Sequence, residues 1–161
     1  MSNLWWVLTV LGSVGGGVVF VVLSAVAFRK LAQRRERARL TGAKGLFHLR
    51  REGLEFEFLK VAGASGKPRG LEWADCDFQD EVSFARERQS GELCALVGVA
   101  ISFEAVEGGG MEDNPNVNYD KIGSAVFRFD GRHWSTEGRA LFNLDPDEAI
   151  ARLQNELETV D

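Results

Sequence analysis

Cysteine is almost missing from this chain, with only Cys76 and Cys94 among 161 residues. Two thiols are too few for a disulfide scaffold and fit a reducing compartment. Cys94 has apolar neighbours, the setting of a packed thiol. Cys76 lies between Asp75 and Asp77, whose charges oppose thiolate formation, so neither reads as a nucleophile. Histidine is as scarce, and His48 and His133 stand far apart with no metal-ligand spacing. Charge is missing altogether from residues 4–28. Positive charge is short in the C-terminal three quarters of the chain: residues 40–161 hold thirteen Lys and Arg against twenty-three Asp and Glu, a net −10. Such a balance repels phosphate backbones and argues against nucleic acid as a partner.

The uncharged run is itself the first positive signal. As a helix, residues 4–28 would extend about 37 Å, enough to cross a hydrocarbon core of ~30 Å. The sequence therefore predicts a transmembrane anchor over residues 1–28, in contact with the lipid bilayer through residues 4–28. Trp5 and Trp6 would sit at one interface, and Arg29, Lys30, Arg34, Arg35, Arg37 and Arg39 follow the other end. The positive-inside rule then places the N-terminus outside and the C-terminal domain in the cytoplasm, with a single pass through the inner membrane. Ala25-Val26-Ala27 has the form of a signal-peptidase site, but the amino end lacks a positive region and the basic block follows at once, which favours an uncut anchor. The basic collar, residues 29–44, suits anionic lipid headgroups. Within the apolar run Gly12 and Gly16, like Ser13 and Gly17, stand four apart, a spacing that permits close helix association and homo-oligomers.

Residues 45–161 fit one soluble domain. Alternation of apolar and polar positions predicts three hairpins. The first joins residues 45–51 to 54–61 through Glu52-Gly53, with Phe47 opposite Phe58 and Leu49 opposite Phe56 in the core. The second joins residues 77–89 to 92–106 through Ser90-Gly91, with Phe84 on Val97, Val82 on Val99 and Phe78 on Phe103. The third turns at Asp130-Gly131, setting Phe127 opposite Trp134 and Ala125 opposite Thr136. Asp145-Pro146-Asp147-Glu148 reads as a capping box opening a helix whose stripe is Ala149, Ile150, Leu153 and Leu157. The expected fold class is α+β: an N-terminal transmembrane helix, an antiparallel sheet of about six strands and a C-terminal covering helix.

Two motif matches fail on inspection. Residues 63–68 lack the first glycine and the Ser or Thr of a phosphate loop, where Val61 and Pro68 stand. Asn114, Asn116, Asn118 and Asp120 alternate as in a calcium loop, but Tyr119 and Ala125 hold the positions of its glycine and bidentate Glu. No catalytic set, cofactor site or metal site is legible. The most unusual stretch is the loop of Gly108, Gly109, Gly110, Met111, Glu112 and Asp113, which three glycines open to a ligand or a neighbouring chain.

Residues 65–71 (SGKPRGL), 84–86 (FAR), 95–97 (ALV), 101–104 (ISFE), 108–113 (GGGMED), 138–140 (GRA) and 142–144 (FNL) together resemble an uncharacterised family of bacterial single-span membrane proteins. The likeness covers most of the soluble domain and implies no activity. The residues support a membrane-anchored cytoplasmic interaction or assembly module, non-enzymatic, that self-associates or binds a protein partner with its acidic surface. The alternative is an enzyme or small-ligand binder with its site between residues 108–113 and the loop of Lys67 and Arg69, with Glu104 or Glu112 partly buried.

Overall fold

Phe47, Leu54, Phe58 and Ala62 recur at intervals of seven, four and four residues, the spacing of a single helix face, and all four are buried. In the computed structural model they belong to one helix, α1, Asn3–Ser65. The structure describes residues 3–65 and 70–160, and side chains within α1 from residue 23 to residue 64. The chain divides into two compact units, Met1–Gly45 and Leu46–Asp161. In the first, Arg29, Lys30, Arg34, Arg35, Arg37 and Arg39 are all exposed, as are Leu23, Val26, Phe28 and Leu31.

The second unit is a sheet with helical cover. After α1 come β1 (Leu71–Glu87), β2 (Leu93–Ala105), β3 (Lys121–Phe129), β4 (Trp134–Ser135), β5 (Ala140–Phe142), α2 (Pro146–Arg152) and β6 (Leu157–Thr159). The strands run β4-β3-β2-β1-β6, with β5 also on β3, six in all among the described residues. The long central strands pair antiparallel. On β2 the odd positions Leu93, Ala95, Val97, Val99, Ile101 and Phe103 are buried, and the rings projecting from the matching face of the neighbouring strands meet the helix. Phe47 lies 5.8 Å from Phe84, 5.4 Å from Phe127 and 5.0 Å from Trp134, centroid to centroid. Phe58 lies 5.7 Å from Phe78 and 6.0 Å from Phe127. These edge-to-face and tilted contacts are the geometry aromatic quadrupoles prefer. The opposite face buries Ala85, Cys94 and Leu96 under Ala149 and Ile150 of α2, with Leu141, Leu144 and Leu157 at the margin.

An α+β architecture is present, but two parts of the expected fold are corrected. The first concerns the transmembrane helix: among the described residues no helix is long and apolar enough to cross a membrane. The expected span falls largely on residues whose side chains lie outside those described, and so do Trp5, Trp6, Gly12, Ser13, Gly16 and Gly17. The second concerns residues 45–61, which are not a hairpin but a part of α1. Gly42, Gly45 and Gly53 each cost such a helix about 1 kcal/mol relative to alanine. Within the second unit the burial of Phe47, Leu54, Phe58 and Ala62 against a ready-made sheet outweighs that cost, since tertiary packing rather than propensity stabilises most helices.

Both remaining hairpins form with their partners displaced by two residues. Phe84 pairs with Ala95 rather than Val97, and Val82 with Val97. Phe129, not Phe127, pairs with Trp134. The reason lies in the turns: Glu87 and Glu92 close the first loop around residues 88–91 rather than around Ser90-Gly91 alone, and Asp130 and His133 close the second around Gly131-Arg132, one position later than expected. A shift of two keeps every side chain on its face. The β1–β2 register also slips between Phe78 and Val82. α2 opens as expected, with the Asp145 carboxylate accepting from the Glu148 amide at 2.8 Å, but it ends at Arg152 and Leu157 becomes part of β6.

Replacing Phe47 or Phe58 by alanine removes a fully buried ring and should cost about 3–5 kcal/mol in urea unfolding, whereas Leu49→Ala on the same helix should change stability by about 0.5 kcal/mol or less.

Candidate functional site

The glycine loop is the candidate that the sequence singles out, and its geometry is decided by backbone contact. Gly70 has φ +74°, and a Cβ there would lie 2.5 Å from the Gly109 carbonyl oxygen, while one on Gly109 would lie 2.6 Å from the Gly70 Cα. The two backbones touch, so neither position accepts a side chain. Val106 N–H donates to the Gly70 carbonyl at 2.9 Å, and Gly109 N–H donates to the Val106 carbonyl at 2.8 Å. The loop is thus docked on Gly70; Lys67 and Arg69 lie outside the described residues.

The Glu112 carboxylate accepts from the Gly108 amide at 2.5 Å. Bonds from its own amide, then from those of Gly108, Gly110 and Met111, hold its carboxyl below the usual range. Both Glu112 and Glu104 are exposed rather than partly buried. The neighbouring polar residues are engaged in the same way. Asn114 caps the short 3-10 helix Pro115–Asn118, Lys121 Nζ donates to the Asn116 carbonyl, and the Ser102 hydroxyl donates to Asp120.

A second cluster lies where β1, β2 and β3 meet α2. Arg128 Nη1 reaches Glu87 at 3.0 Å and Glu92 at 3.6 Å, and the Ser90 hydroxyl donates to Glu87 at 2.6 Å. These bonds, Ser90 first and Arg128 next, pull the Glu87 carboxyl below its ordinary value. The small, partly open cavity beside them, bordered by Cys94, Arg128 and Arg139, measures about 20 Å³, room for one water. Burial pushes the Cys94 thiol up. The Cys76 thiol is pushed up to about 12 by burial and then by Asp75. Both cysteines are free and held protonated. A larger open depression of about 480 Å³ runs beside α2 and β6, where Asp147 accepts from Ser83, and Arg88 donates to the Gln154 carbonyl and Glu158. No group of three metal-ligating side chains occurs among the described residues.

The feature that the sequence pattern conceals lies on α1. Leu49 is 83% exposed and Phe56 73%, while Phe47 and Phe58 are at 0%. At 100° per residue, seven positions bring Leu49 and Phe56 to within 20° of each other on the helix surface, about 10 Å apart along the axis. Gly53 lies between them, and a Cβ built on it meets nothing within 4 Å. Arg51, on the buried side, fixes the helix from the other direction, donating to the Gln79 and Asp80 carbonyls and to Glu55. His48 packs its ring edgewise on Phe47 and Phe84. The seven-residue interval is the available signal; alternation places Leu49 and Phe56 in the core and hides it.

Comparison with protein-family models, curated proteins and solved structures finds no match for the chain. Function therefore rests on geometry.

Two outcomes test the electrostatic picture. The Glu87 carboxyl is lower in the folded chain than in the unfolded one, so its stabilisation is present at neutral pH and is lost as pH falls through the folded value. Glu87→Gln should be less stable than wild type by up to about 1 kcal/mol at pH 7, with the two converging in urea unfolding toward pH 3. Glu112→Ala should speed amide hydrogen exchange at Gly108 and Gly110 at least tenfold and leave the core amides of β2 unchanged.

Proposed function

We propose that this chain is a non-enzymatic interaction module that works by self-association or by binding a protein partner. The observation that carries the reading is the pair Leu49 and Phe56, exposed at 83% and 73% on one helix face whose opposite side is anchored in the aromatic core. A rigid element that presents an aliphatic and an aromatic anchor to solvent, with charged residues around them, has the form of a helix-face recognition site. The other candidate places favour no small ligand. The glycine loop turns its Gly108 amide to Glu112, and the small cavity beside Cys94 admits one water.

The exposed cations from Arg29 to Arg39 suit a second contact, with anionic lipid headgroups, each worth about 1 kcal/mol near a charged surface. The acidic balance of residues 40–161 would keep the body of the module away from that surface.

Treatment of the full chain in its native extract with an amine-reactive crosslinker should yield adducts through Lys60, beside the exposed pair, that mass spectrometry identifies. Leu49→Ser/Phe56→Ser should abolish them while leaving the folding transition in place. Recovery of monomer alone, with no reproducible partner, overturns the reading.

A further inference from the structure

We infer that the occupant of the Leu49–Phe56 face is a second copy of this chain, whose helix lies antiparallel across the first with Gly53 on Gly53. The inference rests on the interaction reading above and names its partner. Its basis is the spacing of the face about its glycine. Leu49 lies four residues before Gly53 and Phe56 three after it, about 6 Å and about 4.5 Å along the axis. A two-fold axis through Gly53 therefore brings Leu49 of one copy level with Phe56 of the other, twice, to within about 1.5 Å. A Cβ built on Gly53 meets nothing within 4 Å, so the absence of a side chain there allows the two backbones to approach at the crossing.

Charge follows the same symmetry. Arg50 and Glu57 are exposed and lie on one flank of the face, at about 100° and about 80° from Leu49. In an antiparallel pair that flank meets its own counterpart, and the spacing about Gly53 sets Arg50 beside Glu57 of the other copy at two places. On the opposite flank Glu52 meets Glu52, a like-charged contact that keeps the pair loose. The patch is also small beside the ~1,600 Å² of a standard interface, so the association depends on concentration. A parallel pair would set Leu49 on Leu49 and Phe56 on Phe56, and would leave Glu57 without a basic neighbour from the other helix's matching flank.

The test uses the full chain carrying Cys76→Ser, so that the remaining native thiol is the buried Cys94. Cysteine is placed at single positions and the chain is oxidised gently. Gly53→Cys fits without a clash and should give a covalent dimer, Leu49→Cys alone and Phe56→Cys alone should give at least fivefold less, and a mixture of the two should crosslink with each other. Equal self-crosslinking at Leu49→Cys and Gly53→Cys would mean a parallel pair and overturns the inference. In sedimentation equilibrium, Arg50→Glu should raise the self-dissociation constant about tenfold or more, and Arg50→Glu/Glu57→Arg should restore it. If the oligomer survives Leu49→Ser/Phe56→Ser and ignores the charge exchange, this face is not the contact, although self-association itself stands. If the chain is monomeric throughout but a different protein crosslinks to Lys60 in the extract, the interaction reading holds and the second copy is the wrong occupant.

Discussion

Two phenylalanines set the rotation of α1, and that angle decides which side chains the helix offers to the core and which to water. Phe47 and Phe58, both fully buried, fit between rings supplied by β1, β3 and the start of β4. They lie eleven residues apart, three helical turns, so they fix the helix at two points and leave it no freedom to roll. Once that face is inward, residues about half a turn away are outward by necessity. Leu49 and Phe56 are exposed because their neighbours are buried, and the helix cannot satisfy both pairs at once. Water-exposed apolar area of this kind costs stability that evolution tolerates when a partner covers it.

The acidic residues obey a different logic. Glu87, Glu112, Asp130 and Asp145 each accept hydrogen bonds close to a turn or a helix start: from Ser90 and Arg128, from Gly108, from Arg132 and His133, and from Glu148. Carboxylates used in this way are structural acceptors. The lowered titration of Glu87, Glu112 and Asp130 reflects the fixed hydroxyls, guanidinium and amides around them, which is why perturbed acid groups here do not converge on a cleft. In the glycine loop the same rule holds, with the Gly108 amide turned to Glu112.

Legibility in the sequence depends on how local the cause is. The helix cap at Asp145, a turn within one position of Asp130-Gly131 and the strict alternation of β2 are readable from the residues alone, because each is settled by chemistry within a few positions. Register is readable to the correct face but not to the correct partner, since a first turn longer by two residues and a second turn moved by one position each displace the pairing by two without changing the pleat. The helical nature of residues 45–61 is not readable. The segment carries both periods at once, 47-49 and 54-56-58 for a strand, 47-54-58 for a helix, and the glycines at 45 and 53 lower its helix propensity. The fate of Leu157 is decided in the same way, by a β1 edge that captures residues 157–159 after α2 has ended.

The sequence by itself determined that this is an α+β chain with an acidic body, an uncharged N-terminal run and a basic segment between them, because composition and short-range patterning require no partner element. Only the tertiary structure decided which of two competing patterns residues 45–61 obey. Burial against a sheet assembled from residues up to about ninety positions away supplies an energy that no local window contains, and it left Leu49 and Phe56 facing water.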